Sequence, residues 1–355
     1  MEETRNLAAP AFREEKRASE EYKREYVLGI KALIEARQDE ARECRHAACA
    51  DIFKDPEKHR AALADMLGWP LDEGEVKGIP AVKEELLSRE EGYTVSRMRF
   101  EVLPEVWMTG LFFRLSGEGR RPLSIVQHGG LGTPELITGL WGSTGTYHDM
   151  ALRVLRTGCH VFCPQLLLWE EKEKGEICDI TYNRTNLDAR LKRVGSSITA
   201  IEVYGIRRIL NYFEAQDYTA ALGMVGLSYG GFYTLYTTAL DTRIRAAVSS
   251  SYYNTRDAHG WSDWTWQRSA FRFDDAEVAC LIYPRQLYVA IGEEDEVFKV
   301  ETGLRSMEWA RAYCGEVGTD WLTLATFKGK HEFISDDAPL QAFARRLYEE
   351  SGLEK

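Results

Sequence analysis

Met224-Val225-Gly226-Leu227-Ser228-Tyr229-Gly230-Gly231 is the stretch on which the reading of this chain turns. It contains G-x-S-x-G, follows an apolar run with strand character and opens a helical pattern. That strand-turn-helix context is what a nucleophile elbow requires. Glycines at 226 and 230 leave room where a side chain would meet the neighbouring strand and helix. The serine also heads a helix, where backbone N–H groups and the dipole favour developing negative charge. A plain glycine-rich turn is the alternative for this segment alone, so the surrounding chain has to decide.

Working outward, short apolar runs alternate with helical stretches. Leu123 to Gln127, Val161 to Cys163, Leu222 to Gly226, Ala246 to Val248 and Leu287 to Ile291 read as buried strands. Tyr147 to Leu155, Ile198 to Phe213 and Phe232 to Leu240 read as helices between them. This alternation predicts an α/β fold, a mostly parallel central sheet with helices on both faces. Upstream, Met98, Phe100 and Val102 alternate with charged residues, a half-exposed strand, and Trp107 to Leu115 reads as its antiparallel partner. No repeat or low-complexity linker interrupts the chain.

Residues 1–92 read as a helical region and 93–355 as the catalytic domain. Ser19 is a candidate N-cap, with Glu20 and Glu21 in the first turn. Tyr22, Tyr26, Ile30, Leu33 and Ile34 then recur at helical spacing. A second helix starts at Asp55-Pro56, shows Leu63, Met66 and Leu67 on one face and closes at Gly68. This region is expected to be a layer packed on the main domain, a cap or an oligomer contact, and a homodimer could form through it.

Three further groups would complete a serine hydrolase. The triad order on an elbow of this kind is Ser, then Asp or Glu, then His. The strand ending at Ile291 runs into Gly292-Glu293-Glu294-Asp295-Glu296, and Asp295 is the expected acid with Glu294 as runner-up. Only His259 and His331 follow Ser228. His331 is the expected base, because it follows a strand-like run (Trp321 to Phe327) and precedes a C-terminal helix. Histidine suits the task through a pKa near neutrality. The oxyanion donors are expected at the N–H of Tyr229 and at Gly130 or Leu131, in the loop Gln127-His128-Gly129-Gly130-Leu131-Gly132. His128 precedes the nucleophile and is expected to brace this loop. Aromatic residues crowd 252–273, a possible lid or insertion reaching 280. There Trp261, Trp264 and Trp266 are candidates for the substrate pocket.

These segments resemble the α/β-hydrolase superfamily from about Tyr93 onward, and within it the bacterial esterases related to acetyl xylan esterases. Gln127-His128-Gly129-Gly130, Leu240-Asp241-Thr242-Arg243-Ile244-Arg245-Ala246-Ala247-Val248 and Leu281-Ile282-Tyr283-Pro284-Arg285-Gln286-Leu287 carry the resemblance. Met66-Leu67-Gly68-Trp69-Pro70-Leu71 looks like the N-terminal part of the same group. The resemblance implies an ester substrate, a Ser228–Asp295–His331 triad, no cofactor and a preference for small acyl groups such as acetyl. One departure stands out. After Val161-Phe162-Cys163-Pro164 such enzymes carry an Asp or Arg-Gly segment, whereas this chain has Gln165-Leu166-Leu167-Leu168-Trp169. The elbow is also similar to that of prolyl oligopeptidase-type peptidases, but ninety residues cannot build their β-propeller. A peptidase or carbon–carbon bond hydrolase on the same triad is the second expectation. A non-catalytic binding protein is the third, and three intact groups argue against it.

Composition sets outer limits. A net charge of −11 disfavours a nucleic-acid partner. No apolar stretch approaches the roughly 20 residues that span a bilayer, and the charged N-terminus lacks a signal-like core, so a cytoplasmic location and no membrane partner are expected. Seven cysteines with irregular spacing imply no disulfide framework. Cys44, His46 and Cys49 lie close in sequence, as do Cys159, His160 and Cys163. Neither group has a second ligand pair, so no metal site is expected.

Overall fold

The computed structural model describes residues 8–74, 76–168 and 184–353. Its strands are β1 (Val82–Glu90), β2 (Tyr93–Leu103), β3 (Val106–Leu115), β4 (Arg121–Gln127), β5 (His160–Pro164), β6 (Thr219–Leu227), β7 (Ile244–Ser250), β8 (Gln286–Gly292) and β9 (Leu322–Phe327). They form one nine-stranded sheet in the order β1-β2-β3-β5-β4-β6-β7-β8-β9. The β1-β2, β2-β3 and β3-β5 pairs are antiparallel and the rest are parallel.

The helices are α1 (Glu20–Ala48), α2 (Pro56–Leu67), α3 (Pro134–Ile137), α4 (Met150–Arg156), α5 (Arg184–Lys192), α6 (Ile198–Glu214), α7 (Tyr229–Leu240), α8 (Asp275–Cys280), α9 (Val300–Cys314) and α10 (Ala338–Ser351). Successive strand residues point to opposite faces, so the central strands feed two cores. Leu222 and Met224 of β6 join α2, α6, α7, α8 and α9 in one core. Ala221, Val225 and Leu227 join α4 and α10 in the other. Burial of both sheet faces explains why the central strands read as continuous apolar runs.

The N-terminal region departs from a purely helical layer. Residues 82–90, read with the helices, form β1, an outer strand whose hydrogen bonds to β2 place it in the nine-stranded sheet. Val-Lys-Glu-Glu-Leu-Leu-Ser-Arg-Glu is mostly exposed and has no alternation. Charged side chains suit an edge that must resist pairing with other chains, and they also erase the period-two signal. At α2 the expected punctuation holds: Asp55 accepts from the Lys58 N–H, Pro56 opens the helix and Gly68 follows its end at φ 95°. At α1 the Ser19 side chain makes no cap bond.

The second half of α1 docks through a buried charge. Arg45 donates to Glu277 Oε1 (3.0 Å) and lies 3.4 Å from Asp274 Oδ2, and it also reaches the Ala270 carbonyl. Burial pushes the Glu277 carboxyl up, against the pull of Arg45. His46 packs on Tyr313, with 5.1 Å between ring centroids, while Cys49, Cys159 and Cys163 are buried among apolar side chains. Cys178 and Trp169 lie outside the described residues. Removing one member of a buried ionic group strands the others. Arg45→Met is therefore expected to destabilise the fold by about 3–5 kcal/mol, read as a lower urea midpoint. An unchanged midpoint would mean that the two carboxylates are satisfied without it.

Candidate active site

β6 ends at Leu227 and α7 begins at Tyr229, so the whole reversal falls on Ser228, which adopts φ 57° and ψ −120°. Positive φ is costly for a side chain of this type and persists only where the surroundings over-determine it. They do so through close backbone approach. A Cβ at Gly226 would lie 2.1 Å from the Gly230 carbonyl oxygen, and one at Gly230 would lie 2.2 Å from that of Gln127. The Ser228 N–H donates to the Ser250 carbonyl on β7 (2.9 Å), fixing the turn to the neighbouring strand.

The three expected side chains meet. His331 Nε2 lies 2.9 Å from Ser228 Oγ, and His331 Nδ1 lies 2.9 Å from Asp295 Oδ2. The other carboxylate oxygen of Asp295 accepts from the backbone N–H groups of Val297 (2.8 Å) and Phe298 (2.9 Å). Both oxygens therefore have set tasks, and Oδ2 is aimed at the imidazole. Among the four carboxylates of this loop only Asp295 is buried; Glu294, the runner-up, is exposed. An imidazole with Nδ1–H held by a carboxylate presents Nε2 as the proton acceptor for a hydroxyl.

The loop after β4 touches Ser228 directly. A Cβ at Gly129 would stand 2.9 Å from Ser228 Cβ, so Gly129 lets the loop close on the serine. Gly130 and Leu131 follow, Leu131 at φ 58° and exposed, and the Tyr229 N–H heads α7 on the other side. His128 braces this loop, as expected. Its Nδ1 bonds the Gly129 carbonyl (2.8 Å) and its Nε2 accepts the Leu166 N–H (3.0 Å). That bond ties the loop to the Gln165–Leu168 segment where the chain departs from the esterase pattern.

The tryptophans divide. Trp261 stacks on the Tyr229 ring at 5.9 Å and 10°, and Trp264 packs between them at 4.5 Å from Tyr229. Trp266 instead packs along α7 on Phe232 and Tyr236, and it lines a separate cavity of about 860 Å³ beside α2. Phe298 links the group to the base, 5.5 Å from the His331 ring and 5.9 Å from Trp261.

Two supporting groups were invisible in sequence because their members lie far apart. Under Tyr229, fully buried Arg184 bonds Asp263 Oδ2 (2.8 Å) and the Tyr233 hydroxyl (2.9 Å), while the Tyr229 hydroxyl donates to the same Asp263 oxygen (2.8 Å). Burial alone would depress the Arg184 guanidinium; Tyr233, Glu202 and Asp263 outweigh it and raise it. Beside the base, His148 Nε2 meets Glu332 Oε2 at 2.7 Å and holds that carboxyl below its usual range. The Phe333 N–H donates to the Thr146 carbonyl, so the loop after β4 grips the chain on the far side of His331.

Burial lowers His128 and His160 to about 4, and each accepts a backbone N–H through one ring nitrogen. The unfolded chain binds protons near pH 6.5 that the folded chain refuses until about pH 4. Stability is thus complete above that upper value and falls as pH drops through the window, by about 3 kcal/mol per histidine. Urea midpoints at pH 7.5 and 4.5 are expected to show the loss, with a smaller loss in His160→Gln. Equal midpoints for the wild type would contradict it.

No protein-family profile and no curated protein sequence matches the chain. Solved structures do match. A putative acetyl xylan esterase from Bacteroides fragilis superposes with a TM-score of 0.61 at 17% identity, over 78% of this chain and 75% of that one. A glucuronoyl esterase from Solibacter usitatus gives 0.59 at 14% identity, over 82% and 91%. A methylesterase gives 0.56 at 19% identity, over 92% and 66%. At such identities the likeness concerns architecture: this chain has the α/β-hydrolase fold, in common with esterases.

Proposed function

We propose that the chain is a serine esterase that cleaves small-acyl carboxylic esters through an acyl-enzyme intermediate. The observation that carries this reading is the continuous hydrogen-bonded line from Ser228 Oγ through His331 to Asp295, at 2.9 Å in each step. Ser228 Oγ attacks the ester carbonyl carbon as its proton passes to His331 Nε2. Asp295 keeps Nδ1 protonated and stabilises the imidazolium. The carbonyl oxygen, now negative, is received by the Tyr229 N–H and by an N–H of Gly130 or Leu131. His331 returns the proton to the departing alcohol, and water then repeats the sequence on the acyl-serine.

Likeness to acetyl xylan, glucuronoyl and methyl esterases supports an ester rather than an amide or a carbon–carbon bond. A small acyl group such as acetyl is the reading that the likeness to acetyl xylan esterase supports. Trp261 and Trp264, flanking the residue after the nucleophile, are assigned to the wall of the substrate pocket. Trp266 is assigned to packing.

Hydrolysis of p-nitrophenyl acetate, butyrate and octanoate tests the reading. Ser228→Ala is expected to lower kcat by about three or more orders of magnitude with the fold intact. Wild-type protein inert toward all three esters would remove the proposal. Trp261→Ala is expected to lower kcat/KM for at least one of these esters by about three- to tenfold, the worth of one aromatic contact. Unchanged values for every ester would take Trp261 out of the pocket.

A further inference from the structure

The first half of α1 is an anomaly. Of the 29 residues in this helix only Ala41 and Arg45 are buried. Tyr22, Tyr26, Val27, Ile30, Leu33 and Ile34 are all exposed, Tyr22 at 70% and Tyr26 at 72%. At about 100° per residue these six fall on one face, within roughly 140°. A stripe of this width normally faces a core. Carried further along the helix, the same face holds Arg37, stacked 4.8 Å over Phe271, and then the buried Ala41 and Arg45. The face by which α1 docks therefore continues past the body of the protein, and there its side chains are mostly apolar. Scattered exposed apolar residues need no explanation, whereas a contiguous patch does.

We propose that this stripe is the interface of a two-fold homodimer in which the two α1 helices pair antiparallel. The charges beside the stripe are self-complementary. Glu20 and Lys31 lie three turns apart on one flank, acidic first and basic second. An antiparallel copy, crossing near Tyr26, sets Glu20 of each chain beside Lys31 of the other, and the contact occurs twice. Lys23, the one charge within the stripe, is already paired with Glu20 at 3.3 Å. A single polar group in an apolar seam favours one register over its neighbours. Pairing the stripes would bury on the order of 1,200 Å² in total, the lower end of the range for specific interfaces.

A lipid surface fits the helix poorly. Interfacial helices carry a polar face rich in lysine and arginine. From 20 to 35 this helix has Glu20, Glu21, Glu25 and Glu35 against Lys23, Arg24 and Lys31, in a chain of net charge −11.

Sedimentation velocity on the full chain, from about one to one hundred micromolar, decides the matter. The expected species has twice the 40.5 kDa chain mass. Ile30→Glu is expected to give a monomer with unchanged circular dichroism and ester hydrolysis. Lys31→Glu is expected to weaken the dimer by about tenfold or more, and adding Glu20→Lys to it is expected to restore much of that loss. A wild-type monomer at every concentration would overturn the proposal, as would a dimer that survives Ile30→Glu. Co-sedimentation of a monomeric chain with phosphatidylcholine–phosphatidylserine vesicles would replace it with a membrane role.

Discussion

The structure depends on one backbone constraint, the reversal at Ser228. A strand must stop and a helix must start within a single residue, and that residue must hold its hydroxyl clear of both. The geometry at φ 57° is bought by contacts that only glycine permits: Gly226 against Gly230, Gly230 against Gln127, and Gly129 against the serine itself. These contacts join β6, α7 and β4. The hydrogen bond from the Ser228 N–H to Ser250 adds β7. A second strained residue continues the sequence. Ser251, at φ 46°, donates its N–H to Ala290 on β8 and its hydroxyl to the Glu332 carbonyl beside the base. Strain at the two serines is thus shared with the elements that carry Asp295 and His331. This is the usual place for strained backbone, at a site that four or five elements hold in common.

Around that reversal the polar groups form two braces with different physics. The Arg184–Asp263–Tyr229–Tyr233 group is dry, and each charge in it is matched by an opposite charge or a hydroxyl. Such groups add little net stability but penalise any rearrangement, because one broken partner leaves a buried charge. Its position under Tyr229 means that the helix turn presenting the N–H cannot shift without disturbing Asp263 and Arg184. The His148–Glu332 pair, by contrast, is partly exposed. Solvent and salt screen it, so its worth is alignment of the His331 loop more than energy.

How much of this the sequence displays follows from the range of each signal. Strands buried on both faces are short apolar runs, and β4 to β8 were legible for that reason. The helix start at Asp55-Pro56 and the elbow glycines were legible because caps and turns are local. β1 was not, since an exposed edge has no inward face to create a period. Asp295 stood among four acidic residues, and only the fold separates it from Glu294 by burying it. Arg184, Asp263 and Glu202 had no signal at all: each is an ordinary charged residue in sequence, and partners 18 to 79 positions away make it structural. The stripe on α1 was read correctly as helical periodicity, yet periodicity cannot say whether the face meets the chain's own core. Here the second half of the helix docks through Ala41 and Arg45, while every residue of the stripe stays exposed.

That division matters for the site, because α1 belongs to the chain of contacts that ends beside the nucleophile. Arg45 holds Asp274, and Asp274 accepts the Arg256 N–H at 3.0 Å. The Arg256 guanidinium bonds the Trp264 carbonyl and lies 4.7 Å over the Trp264 ring, which packs on Tyr229. A fold of this kind fixes few positions and leaves most of the sequence free to drift, which is why folds match at 14–19% identity. Beside Ser228 this chain carries an aromatic loop whose regular structure is confined to short single turns. The ionic anchorage of the N-terminal helix reaches it through Asp274 and Arg256. A segment outside the parallel sheet is thus tied, through Asp274 and Arg256, to the aromatic residues packed on Tyr229.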